Sequence, residues 1–149
     1  MLKVAIRVGR LIELRCVAPL LPEEVEAGAR ELVRLVSGLA GQAVGCVDLR
    51  RSGLLQREGA ARFIEVMRRD NPKIERNAFI LPDTKATLEL QMERIIREAG
   101  SASRRLFHDV EEAERWLGEV LSREERRSLS TFLDDVDSGP NAAPVRPLK

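Results

Sequence analysis

Ala43-Val44-Gly45-Cys46-Val47, followed by Asp48 and the turn-like Arg50-Arg51-Ser52-Gly53, is the stretch that decides the fold. Past the turn the spacing becomes helical, with Ala60, Phe63, Ile64 and Met67 on one stripe that runs to Arg69. A strand with one wet face alternates, whereas an unbroken apolar run suits a strand covered on both faces. The helical stripe directly after it supplies one cover. The stretch therefore predicts a central parallel strand feeding a crossover helix.

Working outward toward the N-terminus, Val4, Ile6 and Val8 alternate, as do Ile12, Leu14 and Cys16 after Gly9-Arg10. A two-residue turn would pair Val8 with Leu11 and put the two apolar sets on opposite faces. A three-residue loop, Gly9-Arg10-Leu11, pairs Val8 with Ile12 and puts both on one face. The buried face sets the register, so the longer loop or a bulge is expected. Arg7, Glu13 and Arg15 then share the other face. Pro22, with Glu23 and Glu24 after it, opens a helix whose stripe is Val25, Ala29, Leu32, Val33 and Val36. Gly38 and Gly41 end it. Gly28 inside that helix costs about 1 kcal/mol against Ala, which predicts a close neighbour at that point.

Toward the C-terminus, the second helix stops at Asp70-Asn71-Pro72, and Asn77 to Leu81 form the next parallel strand. Leu88, Met92, Ile95, Ile96 and Ala99 give a further apolar stripe, closed by Gly100. Arg105 to His108 form a last short strand. Capping boxes at Asp109/Glu112 and Ser122/Glu125 open two more helices, the first burying Val110, Ala113, Trp116, Leu117 and Val120, the second Leu129, Phe132 and Leu133. The expected fold is α/β, with an N-terminal antiparallel hairpin, parallel strands and covering helices. It divides into a domain over residues 1–121, an extra helix over 122–137, expected to pack on that domain, and a disordered tail over 138–149.

Composition narrows the partners. The 149 residues hold 25 Lys plus Arg against 24 Asp plus Glu, and no Tyr, so neither the charge nor the stacking aromatics of a nucleic-acid binder are present. No apolar stretch approaches the roughly 20 residues needed to cross a bilayer, and no signal-peptide pattern opens the chain, so a cytoplasmic location is expected. Cys16 and Cys46 lack metal-ligand spacing and read as buried free thiols, although neighbouring strands would make a cross-strand disulfide conceivable.

Right-handed crossovers bring the carboxyl ends of the parallel strands to one edge, where open α/β sheets bind their ligands. Asp48, Arg50, Arg51 and Ser52 arrive from the first exit, Asp83, Thr84 and Lys85 from the second, and His108 and Asp109 from the third. Asp83 or Thr84 is the expected helix N-cap. Ser52 lacks the preceding glycine of a nucleophile elbow. His108 stands alone and forms no metal set, and no glycine-rich phosphate loop is present. The edge reads as non-enzymatic, without cofactor or metal. Arg50, Arg51 and Lys85 remain able to hold an anionic group.

The order of elements, with Arg69-Asp70-Asn71-Pro72, Glu75-Arg76-Asn77-Ala78-Phe79, Gln91-Met92-Glu93-Arg94, Glu98-Ala99-Gly100, Phe107-His108-Asp109 and Trp116-Leu117, resembles STAS-like domains over roughly Lys3 to Leu121. These are the sulfate-transporter and anti-sigma-factor-antagonist modules, and the resemblance is to their uncharacterised bacterial branch, often grouped with lipid-transfer-type domains. Antagonist members carry a phosphorylatable Ser in Asp-Ser-Ser-Gly-Leu. Ser52-Gly53-Leu54 matches its end, while Arg50 and Arg51 stand where that motif has Asp-Ser. The resemblance implies a signalling or regulatory domain that binds a protein partner, with Ser52 as a candidate phosphorylation site. Its docking residues would be Asp48, Arg50, Arg51, Ser52, Asp83, Thr84 and Lys85, and a homodimer is an additional expectation. The alternative is a small-ligand or lipid-binding domain with the ligand held between sheet and helices.

Overall fold

The computed structural model describes residues 1–135. Strands β1 (Leu2–Ile6), β2 (Leu11–Val17), β3 (Ala43–Arg51), β4 (Ile74–Ile80) and β5 (Arg104–Phe107) form one sheet in the order β1-β2-β3-β4-β5. β1 is antiparallel to β2, and every other neighbouring pair is parallel. Helices α1 (Pro22–Ser37), α2 (Arg57–Asp70) and α3 (Ala86–Ala99) link the parallel strands, and α4 (Val110–Gly118) and α5 (Arg123–Asp134) follow β5. The mixed α/β sheet is thus the one that early alternation and later apolar runs predict. The expected tail over 138–149, and the last two positions of the expected helix over 122–137, lie outside the described residues.

The central strand is covered on both faces, as its unbroken apolar run requires. Val44 and Cys46 turn to one side, where Leu11, Ala78 and Ile80 meet Ala113 and Leu117 of α4 and Leu129, Phe132 and Leu133 of α5. Val47 and Leu49 turn to the other, where Leu14 and Phe79 meet Met67 of α2 and Leu88, Met92 and Ile95 of α3. Cys16 packs on this second side and Cys46 on the first, so the sheet separates the two thiols and no disulfide can join them.

In the hairpin, Ile6 pairs with Ile12 and Val4 with Leu14, so both apolar sets share a face as expected. The register differs from the three-residue loop by two positions. The strands part at Ile6 and rejoin at Leu11, with Gly9 at φ 59 and the Leu11 N–H donating to the Val8 carbonyl at 3.3 Å. Glu125 explains the wider turn: its Oε2 accepts from the Arg10 backbone N–H at 2.8 Å, fastening the hairpin tip to α5.

Gly28 has the predicted close neighbour, since a Cβ there would lie 2.2 Å from Leu2 Cδ2. Gly100 closes α3 in the left-handed region at φ 79. Ser122 and Glu125 form the expected capping box. Asp109 caps α4 by accepting from the Glu111 N–H at 2.9 Å, without the reciprocal contact from Glu112. The N-cap of α3 is Lys85, not Asp83 or Thr84, and no side chain caps it.

Candidate functional site

The carboxyl ends of β2 to β5 do converge on one edge, but the residues expected there divide into buried and exposed sets. Asp48 belongs to the buried set at 3% exposure. β3 does not break at Asp48; it continues to Arg51, and the register sets Asp48 opposite Arg15 of β2. Asp48 accepts from Arg15 Nε at 3.0 Å, from Arg50 Nε at 2.9 Å and from the Arg50 backbone N–H at 3.1 Å. Burial pushes the Asp48 carboxyl upward, but the Arg50 and Arg15 guanidiniums outweigh it and hold the group below the usual carboxylate range.

Both arginines then turn to the last carbonyls of α5. Arg15 donates to the Phe132 carbonyl, with its guanidinium 4.3 Å above the Phe132 ring, and Arg50 Nη2 donates to the Leu133 carbonyl at 2.9 Å. Cations at the carboxyl end of a helix are favoured by its dipole and satisfy acceptors that have no partner inside the helix. Glu13 extends the network, accepting from Arg7 Nε at 2.7 Å and from Ser128 Oγ at 3.0 Å. Asp48 and Arg50 therefore fasten α5 to the sheet, Asp48 from inside and Arg50 half-buried above it.

Ser52 is also interior, at 1% exposure, and its hydroxyl donates to the Gly53 carbonyl at 2.9 Å. It precedes α2 by several residues, since Gln56 is the N-cap of that helix, and so does not sit at a helix N-terminus. A kinase reaches this hydroxyl only if the loop opens. That loop is held by Gln91, whose side-chain amide accepts from the Leu55 N–H at 3.0 Å and donates to the Leu55 carbonyl at 2.8 Å. Lys85 holds it from the other side, donating to the Ser52 carbonyl at 2.6 Å.

Asp83, Thr84 and Lys85 are exposed, and Arg51 is half-buried. His108 lies 3.5 Å from Asp83 through Nδ1 and 3.1 Å from Glu89 through Nε2. It therefore steadies the start of α3 and does not meet Ser52. Among the described residues no group of His, Cys, Asp and Glu is arranged to hold a metal ion. Nor is any helix there long and apolar enough to cross a membrane.

Three residues at this edge escape a reading based on polar strand exits. Leu21, Leu54 and Leu90 are the exposed large apolar side chains of the described residues, at 48%, 52% and 66%. Leu21 is the N-cap of α1, Leu54 lies in the loop before α2, and Leu90 is in the second turn of α3. All three helices begin at the carboxyl edge. The signal was present in the sequence as leucines outside the helical stripes, at positions where a core needs none.

Comparison with protein families, curated proteins and solved structures finds no match for this chain. What the fold defines is a class: an α/β domain with a mixed sheet, α1 to α3 on one face and α4 with α5 on the other.

Proposed function

We propose that this chain is a non-enzymatic, STAS-like regulatory domain of the bacterial cytoplasm that docks a protein partner through the carboxyl edge of its sheet. The observation that supports the reading is the placement of Leu21, Leu54 and Leu90, each exposed on one of the three segments that leave that edge. An exposed leucine near the start of each of these helices offers a partner an apolar anchor, and charged residues beside it tune association rate and partner choice. Arg51, Asp83, Thr84 and Lys85 supply that rim. Ser52 supports it from beneath, its carbonyl accepting from Lys85 at 2.6 Å, while Asp48 and Arg50 hold α5 on the other face of the sheet. The partner is a protein offering apolar anchors to this end of the domain, and a second copy of the chain is the competing occupant.

The test is capture from native lysate by wild type, by Arg51→Glu, by Leu54→Lys with Leu90→Lys, and by Arg123→Glu as an exposed control on α5. Both edge variants should lose the same captured protein while the control keeps it. Loss in the control alone moves the surface to α5. A concentration-dependent dimer abolished by the leucine changes makes the occupant a second copy.

A further inference from the structure

β1 ends the sheet on one flank. Met1 and Val17 exchange both main-chain hydrogen bonds, at 2.6 and 2.8 Å, and the register continues through Lys3 opposite Arg15 and Ala5 opposite Glu13. Bonded pairs alternate along an antiparallel ladder, so Lys3 and Ala5 bond to β2 while Leu2, Val4 and Ile6 turn their N–H and C=O groups outward. Among the described residues none hydrogen-bonds to those groups. The β1–β2 pairing holds no bulge and no proline, two devices that close an edge strand to further pairing. The other flank offers less: the Ser103 and Phe107 carbonyls accept from Asn77 and Leu81, so β5 turns only Arg104 and Leu106 outward.

The space above β1 decides what can pair with it. α1 packs on β1, with Gly28 against Leu2. A second copy joined through its own β1 would carry its α1 over a strand about 4.8 Å away, whereas packed helices need about 8–10 Å between axes. The occupant is therefore an extended segment with no helix above it. Its residues opposite Leu2, Val4 and Ile6 would lie against the flank of α1, where Glu24, Gly28, Glu31 and Leu35 form one stripe; Glu24 meets the Met1 amino group at 3.6 Å, and Leu35 is half-buried. Apolar side chains suit that flank. On the opposite face Arg7 is paired with Glu13 at 2.7 Å, but Lys3 is exposed and has no acceptor among the described residues. Lys3 would stand in a non-hydrogen-bonded pair of the new ladder, the type in which side chains lie closest, so a carboxylate opposite it is favoured.

We propose that β1 binds an extended peptide segment as a further antiparallel strand, with β-branched residues opposite Leu2, Val4 and Ile6 and a carboxylate opposite Lys3. Main-chain bonds supply the affinity of such an added strand, and the alternate side chains supply its specificity. The site lies along the flank of the sheet and does not rest on the docking edge. The test is a titration of isotope-labelled protein with acetyl-Val-Thr-Val-Glu-Val-amide. The Val4 and Ile6 amide signals should shift saturably and their exchange with water should slow, while the Lys3 and Ala5 amides, bonded to β2, exchange slowly throughout. Methylating the nitrogen of the central valine, which faces Val4, should abolish binding, and methylating that of the glutamate, which points away, should leave it. Lysine in place of the glutamate should bind about fivefold more weakly, and Lys3→Glu should reverse that preference. Absence of saturation up to millimolar peptide overturns the proposal. So does slow exchange of Val4 and Ile6 in the protein alone, which gives the edge to residues 136–149 or to a second copy. Equal loss on both methylations, or a preference unmoved by Lys3→Glu, overturns it too.

Discussion

Arg15 Nε meets Asp48 Oδ2 at 3.0 Å across the β2–β3 pair, beneath the C-terminal turn of α5. One ion pair thus fixes three elements, because the same guanidinium also donates to the Phe132 carbonyl. A charged pair in this position contributes little to net stability compared with an apolar pair. Breaking it is costly, because its partners stay buried without compensation.

Asp48→Asn should lower the free energy of unfolding by about 3–5 kcal/mol at pH 7, since it leaves the Arg15 and Arg50 charges facing a neutral amide. The folded-state pKa of Asp48 is depressed, so its contribution is present above the unfolded value of about 3.9 and disappears as the pH falls through the folded value. The gap between wild type and variant should therefore narrow below about pH 4. Urea unfolding at pH 7 and at pH 3 measures it, and a gap that widens in acid contradicts the assignment.

α5 is a core element by its packing. Leu129 is 1% exposed, and Leu133 2%. Leu129→Ala should cost about 2–5 kcal/mol, the range for a buried leucine whose site collapses only in part. Removal of the chain after Ser122 would uncover Leu11, Val44 and Cys46 together with the Asp48 network, and cooperative thermal unfolding should be lost. An unchanged melting midpoint in the truncated protein would show that α5 covers nothing essential.

How legible all this was in the sequence depended on what each pattern encodes. Ala43 to Val47 announced a strand covered on both faces, because continuous apolarity has few other uses in a short segment. The stripe Leu88, Met92, Ile95 and Ala99 likewise named a helix and its buried side. Alternation in β2 showed that Glu13 and Arg15 share a face, but alternation does not say what covers it. Their burial under α5 depends on contacts across more than a hundred residues, with Ser128 and Phe132. Asp48, Arg50 and Ser52 looked like an exposed rim because they are polar. Register, not visible in composition, set Asp48 opposite Arg15 beneath α5 and drew Arg50 onto the buried carboxylate, while Ser52 lies inside in a loop whose carbonyl is held by Lys85. Leu21, Leu54 and Leu90 were passed over because an isolated leucine carries no periodicity.

Gly28→Ala separates local propensity from packing. The helix would gain about 1 kcal/mol from losing a glycine, while crowding of the new methyl against Leu2 costs about 1–3 kcal/mol. The clash should win, giving a net loss, and Leu2→Ala in the same chain should turn Gly28→Ala into a gain. A thermal-shift cycle over the four proteins reads the coupling. Additive effects would mean that Leu2 does not pack on Gly28.

The docking edge is tested most directly by amide hydrogen exchange of the protein alone and in complex with the partner it captures. Binding should slow exchange in the segments carrying Leu21, Leu54 and Leu90, from the end of β2 into α1, from Ser52 to Gln56, and from Asp83 into α3. Exchange in β1 and along α5 should stay unchanged. Protection confined to β1 or α5, with these three segments exchanging as they do in the free protein, would contradict the account.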